Sequence, residues 1–290
     1  MGETLAVDSI YIHDNWFHNG FHNTSLNAII EGSNTFEEVH FYNNVVGNYT
    51  HHTISAGNGT GTATFVTRRG ASTTVSRIYF YNNVFLYRTG FGIQCPAGID
   101  SLVIAYNTFY LRNSNVTGTA SMLHSPTVDV QTDGEAWLYN NLFVEDEIAV
   151  GGQAALYEAN ATMAQWKDID YNLYYTPAGD GNLIWSVSGT FRYGIDEFSD
   201  WVSEQGWDSN SPSPADPVLV DAPNDVSLSV GSPAIGAATP ISWITTDYLG
   251  NTRDATTPDI GAYEFQQTVF KAGVSGGVIL LDASGKPLKY

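Results

Sequence analysis

The chain has 290 residues, enough to bury roughly three quarters of its unfolded surface without a disulfide or metal scaffold. Its 30 acidic and 11 basic residues give a formal charge of −19, a field that repels phosphate backbones and anionic membranes and excludes nucleic acid as an expected partner. With 43% hydrophobic and only 14% charged residues, and with 17 Tyr, 14 Phe and 28 Gly, the composition favours strands and turns over long helices.

The opening Met1-Gly2-Glu3-Thr4 has neither a basic region nor an apolar stretch, so no signal peptide is expected in the sequence as it stands. That leaves a mature or truncated piece, or another route to the destination. No apolar run approaches the ~20 residues of a membrane span, and membrane insertion is not expected. The lone cysteine, Cys95, excludes an internal disulfide; beside Gly92 and Ile93 it reads as an inert buried thiol.

One pattern returns through the first 175 residues: apolar, any, apolar, any, any, Asn, any, apolar. It begins at Ile10, Val39, Ile78, Leu102, Ala136 and, in a weaker form, Lys167, and its asparagines are Asn15, Asn44, Asn83, Asn107, Asn141 and Asn172. They lie 29, 39, 24, 34 and 31 residues apart, so the unit is fixed and the connecting loops vary. Period-two alternation predicts a half-buried strand before each Asn. Asn tolerates left-handed backbone and suits a sharp bend after that strand. Stacked at ~4.8 Å, such amides can bond one another in a ladder. Second apolar segments follow at Ala28-Ile29-Ile30, Thr53-Ile54-Ser55, Gly92-Ile93-Gln94, Met122-Leu123-His124 and Ala155-Leu156-Tyr157. The expected fold is all-β: a right-handed parallel β-helix of six or more coils over residues 1–195.

From about residue 196 the pattern stops and Pro, Asp and Ser rise. Ser232-Pro-Ala-Ile-Gly236, Asp247-Tyr-Leu-Gly-Asn-Thr-Arg253 and Pro258-Asp-Ile-Gly-Ala-Tyr-Glu-Phe265 follow. With the Asn units, these segments resemble bacterial secreted right-handed parallel β-helix repeat proteins, a broad group that includes polysaccharide lyases. The resemblance implies a closing segment over 196–265 that wraps the last coil, with Arg253 pairing to Asp247 or Asp259 and Tyr263 and Phe265 filling the edge. The chain departs from that group at its start. A unit begins at Ile10 with no room for a capping helix, so a partner chain or a missing upstream segment is expected to cover the first coil. Residues 266–290 read as a strand-like tail, with Gly277 to Tyr290 forming two strands around an Asp-Ala-Ser-Gly turn.

Aligning the units by their Asn places Tyr11, His40, Tyr79, Val103, Trp137 and Asp168 in one outward column. His13, Tyr42, Tyr81, Ala105, Tyr139 and Asp170 form the next. Aromatic rings at strand spacing can stack on sugar rings, and their hydroxyls can bond sugar hydroxyls. The competing expectation is that the closing segment or another subunit covers them. Arg88 and Arg112 each follow their Asn by five residues, with Asp146 at the same register. Two such arginines suit a uronate or sulfate, or simply a carboxylate such as Asp146. The substrate-binding candidates are therefore Tyr11, His40, Tyr42, Tyr79, Tyr81, Trp137, Tyr139, Arg88 and Arg112.

No catalytic set is legible. A lyase needs a base and a cationic group for the enolate, and Lys167 is the only lysine before residue 271. The Arg-x-Pro-x-x-Arg pattern of one pectate-lyase group and the Asn-Thr-Asp pattern of polygalacturonases are both missing. Hydrolysis needs two facing carboxylates, and Glu31 and Glu158 belong to distant coils. No cofactor is expected, beyond a calcium ion in the acidic loop Glu145-Asp146-Glu147. His51 and His52 point to opposite sides of any strand, against a metal site. The expectation is an extracellular protein that recognises, and in a stronger form depolymerises, a polysaccharide or surface glycan. The alternative is a structural or adhesive module of a cell surface or virion.

Overall fold

A computed structural model of the chain describes residues 6–18, 35–49, 74–87, 93–95, 99–111, 128–130, 134–145, 156–158, 166–176, 182–186, 192–266, 269–271 and 278–280. Each Asn unit contributes one strand before its asparagine and one after. The strands before it, Ala6–His13, Thr35–Tyr42, Thr74–Tyr81, Ile99–Ala105, Glu135–Tyr139 and Trp166–Asp170, pair in parallel and in chain order as one sheet. Those after it, Trp16–His18, Val45–Tyr49, Val84–Tyr87, Thr108–Leu111, Leu142–Glu145 and Leu173–Tyr175, form a second parallel sheet in the same order. A third sheet holds Ile93–Cys95, Val128–Val130, Leu156–Glu158 and Asn182–Ser186, and Arg192–Gly194 joins it antiparallel. The fold is all-β and parallel, and it fits a parallel β-helix.

The register follows from which face each residue buries. Ile10, Val39, Ile78, Leu102, Ala136 and Trp166 pair in sequence, as do Ile12, Phe41, Phe80, Ile104, Leu138 and Ile169. A one-residue slip would turn both rows out to water. In the second sheet Phe85, Phe109, Phe143 and Tyr174 stack inside with centroids 4.7, 4.9 and 5.2 Å apart. Full burial of such side chains contributes about 1.5–3 kcal/mol each.

The amide ladder runs the length of the described coils. The Nδ2 groups of Asn15, Asn44, Asn83, Asn107 and Asn141 each donate to the Oδ1 of the next coil's asparagine, at 3.1, 3.2, 2.9, 3.0 and 3.1 Å. The bend itself is made elsewhere than expected. Asp14, Asn43, Asn82, Tyr106, Asn140 and Tyr171, one residue before each ladder Asn, take φ of 56, 52, 55, 54, 60 and 56°. That left-handed conformation costs about 1–2 kcal/mol for an ordinary residue and less for Asn or Asp, which explains why the dipeptide reads Asp-Asn or Asn-Asn in four of the six units.

The last coil is covered by the helix Phe198–Gln205, not by the Pro-Asp-Ile-Gly-Ala wrap. Phe198 and Trp201 are buried in the same core as Ile169 and Tyr174. Asp208, fully buried, takes the end of the ladder: Asn172 Nδ2, Tyr174 OH, Trp201 Nε1 and Ser211 Oγ donate to it at 3.1, 3.0, 2.9 and 2.6 Å. Residues 217–265 run along the outside of the Asn corner instead, burying Val84, Leu142 and Leu173 against Val226, Ile244 and Ile260. Among the described residues the inward positions of the coils are filled by their own side chains, and this segment packs on outward apolar positions.

In the coil between Ile93–Cys95 and Leu156–Glu158 the third-sheet strand is Val128–Val130; Met122 to His124, Ala28 to Ile30 and Thr53 to Ser55 lie outside the described residues. In the tail, Val278–Leu280 pairs antiparallel with the upstream Val269–Lys271, and the Asp-Ala-Ser-Gly turn is not among the described residues.

Candidate functional site

The six left-handed residues form a row along the Asn corner, one per coil. Three of them grip the closing segment. Asn82 donates to Thr246 O at 2.7 Å and accepts from Arg253 Nη2 at 2.9 Å. Tyr106 donates to Thr239 O at 2.7 Å, and the Arg253 guanidinium lies 3.9 Å over its ring. Asn140 donates to Thr239 O and accepts Thr239 N, at 2.8 and 2.9 Å. Arg253 also reaches Gly261 O at 2.9 Å and its acidic partner, which is Glu264 at 3.4 Å and neither Asp247 nor the Asp259 carboxylate. Those two carboxylates accept backbone N–H groups instead, Asp247 from Leu249, Asn251 and Glu264, and Asp259 from Gly236 and Phe265.

Toward the first coils the row is no longer gripped, and Asp14 and Asn43 line a cleft of about 560 Å³ between the corner and the closing segment. One wall comes from Trp16, Val45, Val84 and Leu86, the other from Asp225, Val226, Tyr248 and Tyr263. Trp16 is 70% exposed, whereas Val84, Thr108, Leu142 and Leu173 at the same outward position of later coils are buried. Tyr248 and Tyr263 meet edge to face at 5.4 Å. Burial raises the Tyr248 pKa and the Asp14 carboxylate raises it further. Burial, Tyr248 and then Asp225 raise that of Tyr263. Both hydroxyls therefore stay protonated at neutral pH and can donate. Among the described residues lining the cleft there is no Lys or Arg. Its volume falls within the range of about 300–1,000 Å³ of small-molecule sites, and it combines aromatic faces with hydroxyl donors and carboxylate and amide acceptors.

The outward columns sit on the first sheet, on the other side of the Asn row. Tyr11, His40 and Tyr79 stack at 4.8 and 4.6 Å, and His13, Tyr42 and Tyr81 at 4.7 and 4.7 Å. Within each column the ring faces are turned to one another, so edges and polar tips point outward. Trp243 of the closing segment stands edge-on against Tyr79 and Tyr81, 5.2 Å from each. His40 Nε2 and Arg77 both meet Glu38, at 3.2 and 3.1 Å. Further along, Trp137 is half-buried and Tyr139 donates to Asp168 at 2.9 Å. Lys167 pairs with Glu135 at 3.2 Å. Arg88, Arg112, Glu31 and the acidic loop at Asp146 and Glu147 lie outside the described residues.

Sequence reasoning missed the cleft because Asp14 and Asp225, or Trp16 and Tyr263, are more than 200 residues apart. The available signal was Trp16 itself, a large ring at an outward position filled by Val, Thr and Leu in later coils. No family model, no curated protein and no solved structure matches the chain.

Proposed function

We propose that the chain is a right-handed parallel β-helix of the bacterial secreted repeat type, working outside the cell, and that it recognises a polysaccharide in the cleft between the Asn corner and the closing segment. The handedness follows from the near-universal right-handed crossover between parallel strands of one sheet. The single observation that carries the binding reading is the cleft's lining: Trp16, Tyr248 and Tyr263 offer faces and edges to the apolar side of a sugar, beside the acceptors Asp14, Asn43 and Asp225. The column from Tyr11 to Tyr79, with Trp243 beside it, adds ring edges and polar tips on the adjoining sheet.

A panel of purified oligosaccharides titrated calorimetrically against the protein tests this. Binding is expected for at least one glycan and is expected to weaken in Trp16→Ala. Saturable binding to none, together with an obligate multimer, would favour the structural or adhesive reading instead. A hydrolytic reading has one observation on its side: Asp14 and Asp225 line the same cleft, and glycoside hydrolysis uses a pair of carboxylates. New reducing ends that vanish in both Asp14→Asn and Asp225→Asn would support it.

A further inference from the structure

We infer that the saccharide held in this cleft carries no carboxylate or sulfate, and that amino sugars bind more tightly than neutral ones. This deepens the polysaccharide reading and rests on it.

The first ground is charge. Asp14 is 65% exposed at its side chain and Asp225 is exposed, so both carboxylates are open to solvent. Both line the cleft, Asp14 on the Asn corner and Asp225 on the closing segment, with no Lys or Arg among the described lining residues. Arg253, which holds Asn82 of the row, is buried, with Nη1 on Glu264 and Nη2 on Asn82 and Gly261. Its charge is paired with Glu264, and it is not among the residues that line the cleft. At a separation of ~4 Å, unlike or like charges near a protein surface shift an affinity by tenfold or more, and the overall charge of −19 steers in the same direction.

The second ground is hydrogen bonding, and it comes from the row itself. Asn82 and Asn140 occupy the left-handed position of their coils and have both ends of the amide satisfied by the closing segment. Asn43 holds the same position one coil earlier, and its Oδ1, buried and closed to solvent as the side chain stands, has no partner. An amide oxygen left that way gains from any donor that lets it turn and bond. Asp14, the next in the row, is an acceptor only; His13 Nδ1 lies 2.7 Å from one of its oxygens, and the other remains. The open part of the row is thus short of donors. Hydroxyl and ammonium groups supply donors, whereas a uronate or sulfate brings more acceptors and a repelled charge.

The test is calorimetric titration of the full chain with four hexasaccharides: a glucosamine hexamer, cellohexaose, mannohexaose and oligogalacturonate. The expected order is the glucosamine hexamer first, a neutral hexamer weaker, and the galacturonate weaker than the glucosamine hexamer by on the order of tenfold or more. Raising the salt should narrow that gap. In the Asp14→Asn/Asp225→Asn double variant it should close, with the neutral hexamer's affinity changed less than the other two; both positions are exposed, and the fold is checked by thermal melting. Galacturonate binding as tightly as the glucosamine hexamer would overturn the inference while leaving the polysaccharide reading in place. So would glucosamine binding unchanged in both the double variant and Trp16→Ala, which would mark attraction to the acidic surface at large. Binding of none of the four would sink both readings together.

Discussion

The side-chain amide of Asn172 donates to the Asp208 carboxylate across 3.1 Å, so a row of six amides that all donate in one direction ends on a buried acid. Aligned amides polarise one another, and an anion at the donor end favours that alignment. The acid comes from the turn after the helix Phe198–Gln205, and it gathers Trp201, Tyr174 and Ser211 as well. Replacing it with Ala leaves several buried donors without partners. Asp208→Ala is expected to lose on the order of 3 kcal/mol or more of stability, read as a lower urea midpoint; a midpoint equal to wild type would contradict the capping role.

Acid should stabilise the protein over a defined window. Burial pushes the Asp208 carboxyl up to about 6 against its four hydrogen-bond donors, and burial likewise raises Asp259 to about 6. A carboxyl whose folded pKa is raised contributes stability that is complete below the unfolded value of about 3.9 and lost as pH rises through the folded one. Stability should therefore rise as pH falls from 7 toward 4.5, by at most about 1.4 kcal/mol per pH unit for each proton taken up. Relief of the repulsion within a chain of charge −19 acts in the same direction. Urea unfolding of Asp208→Asn across that range, in high salt, should show a shallower slope than wild type; an identical slope would remove Asp208 from the account.

The interior of the ladder should matter more than its exposed first rung. Asn107 donates to Asn141 Oδ1, Phe80 O and Ala105 O and accepts from the backbone and side chain of Asn83, all buried. Asn107→Leu is expected to cost about 3–5 kcal/mol, and Asn15→Leu, at an exposed position, about 1 or less. Equal losses at the two sites in chemical denaturation would argue against a buried amide ladder.

Gly261 fixes the closing segment. Its φ is +97°, and a Cβ there would stand 2.8 Å from Thr108 Oγ1 and 3.2 Å from Leu142 Cβ. Gly261→Ala should cost about 2–3 kcal/mol and lift the segment from the corner, which limited proteolysis would read as new cuts within residues 217–265 while the coils survive. An unchanged digestion pattern would mean that the close approach is dispensable.

Trp16 is expected to contribute more to the proposed glycan binding than to folding. At 70% exposure, Trp16→Ala should change the unfolding free energy by about 0.5 kcal/mol or less. Its effect on glycan affinity should be on the order of tenfold, the value of one lost aromatic platform. A variant that binds as wild type removes Trp16 from the site.

The strands, their register and the ladder were legible because their causes are local. Alternation such as Val39, Phe41 and then Asn44 specifies a face and a bend within eight residues, and the outward columns follow by simple stacking. The bend residue lies one position before the ladder Asn that the pattern singles out, since Asn43 and Asn44 are the same amino acid and only the backbone tells which is left-handed. Tyr106 and Tyr171 carry no sequence signal for that conformation at all. Tyr106 is held there by the Thr239 carbonyl and the Arg253 guanidinium, from a segment more than 130 residues away.

The sequence by itself determined that short parallel strands stack around an asparagine row, because side-chain alternation and a repeated bend encode that in every unit. Only the tertiary structure decided that Phe198–Gln205 closes the end, that Arg253 chooses Glu264, and that the closing segment lies along the corner and leaves a cleft beside Asp14 and Trp16. Those outcomes depend on fitting one irregular segment to the outer surface of several coils at once. Such a fit has no period, so no spacing in the chain announces it.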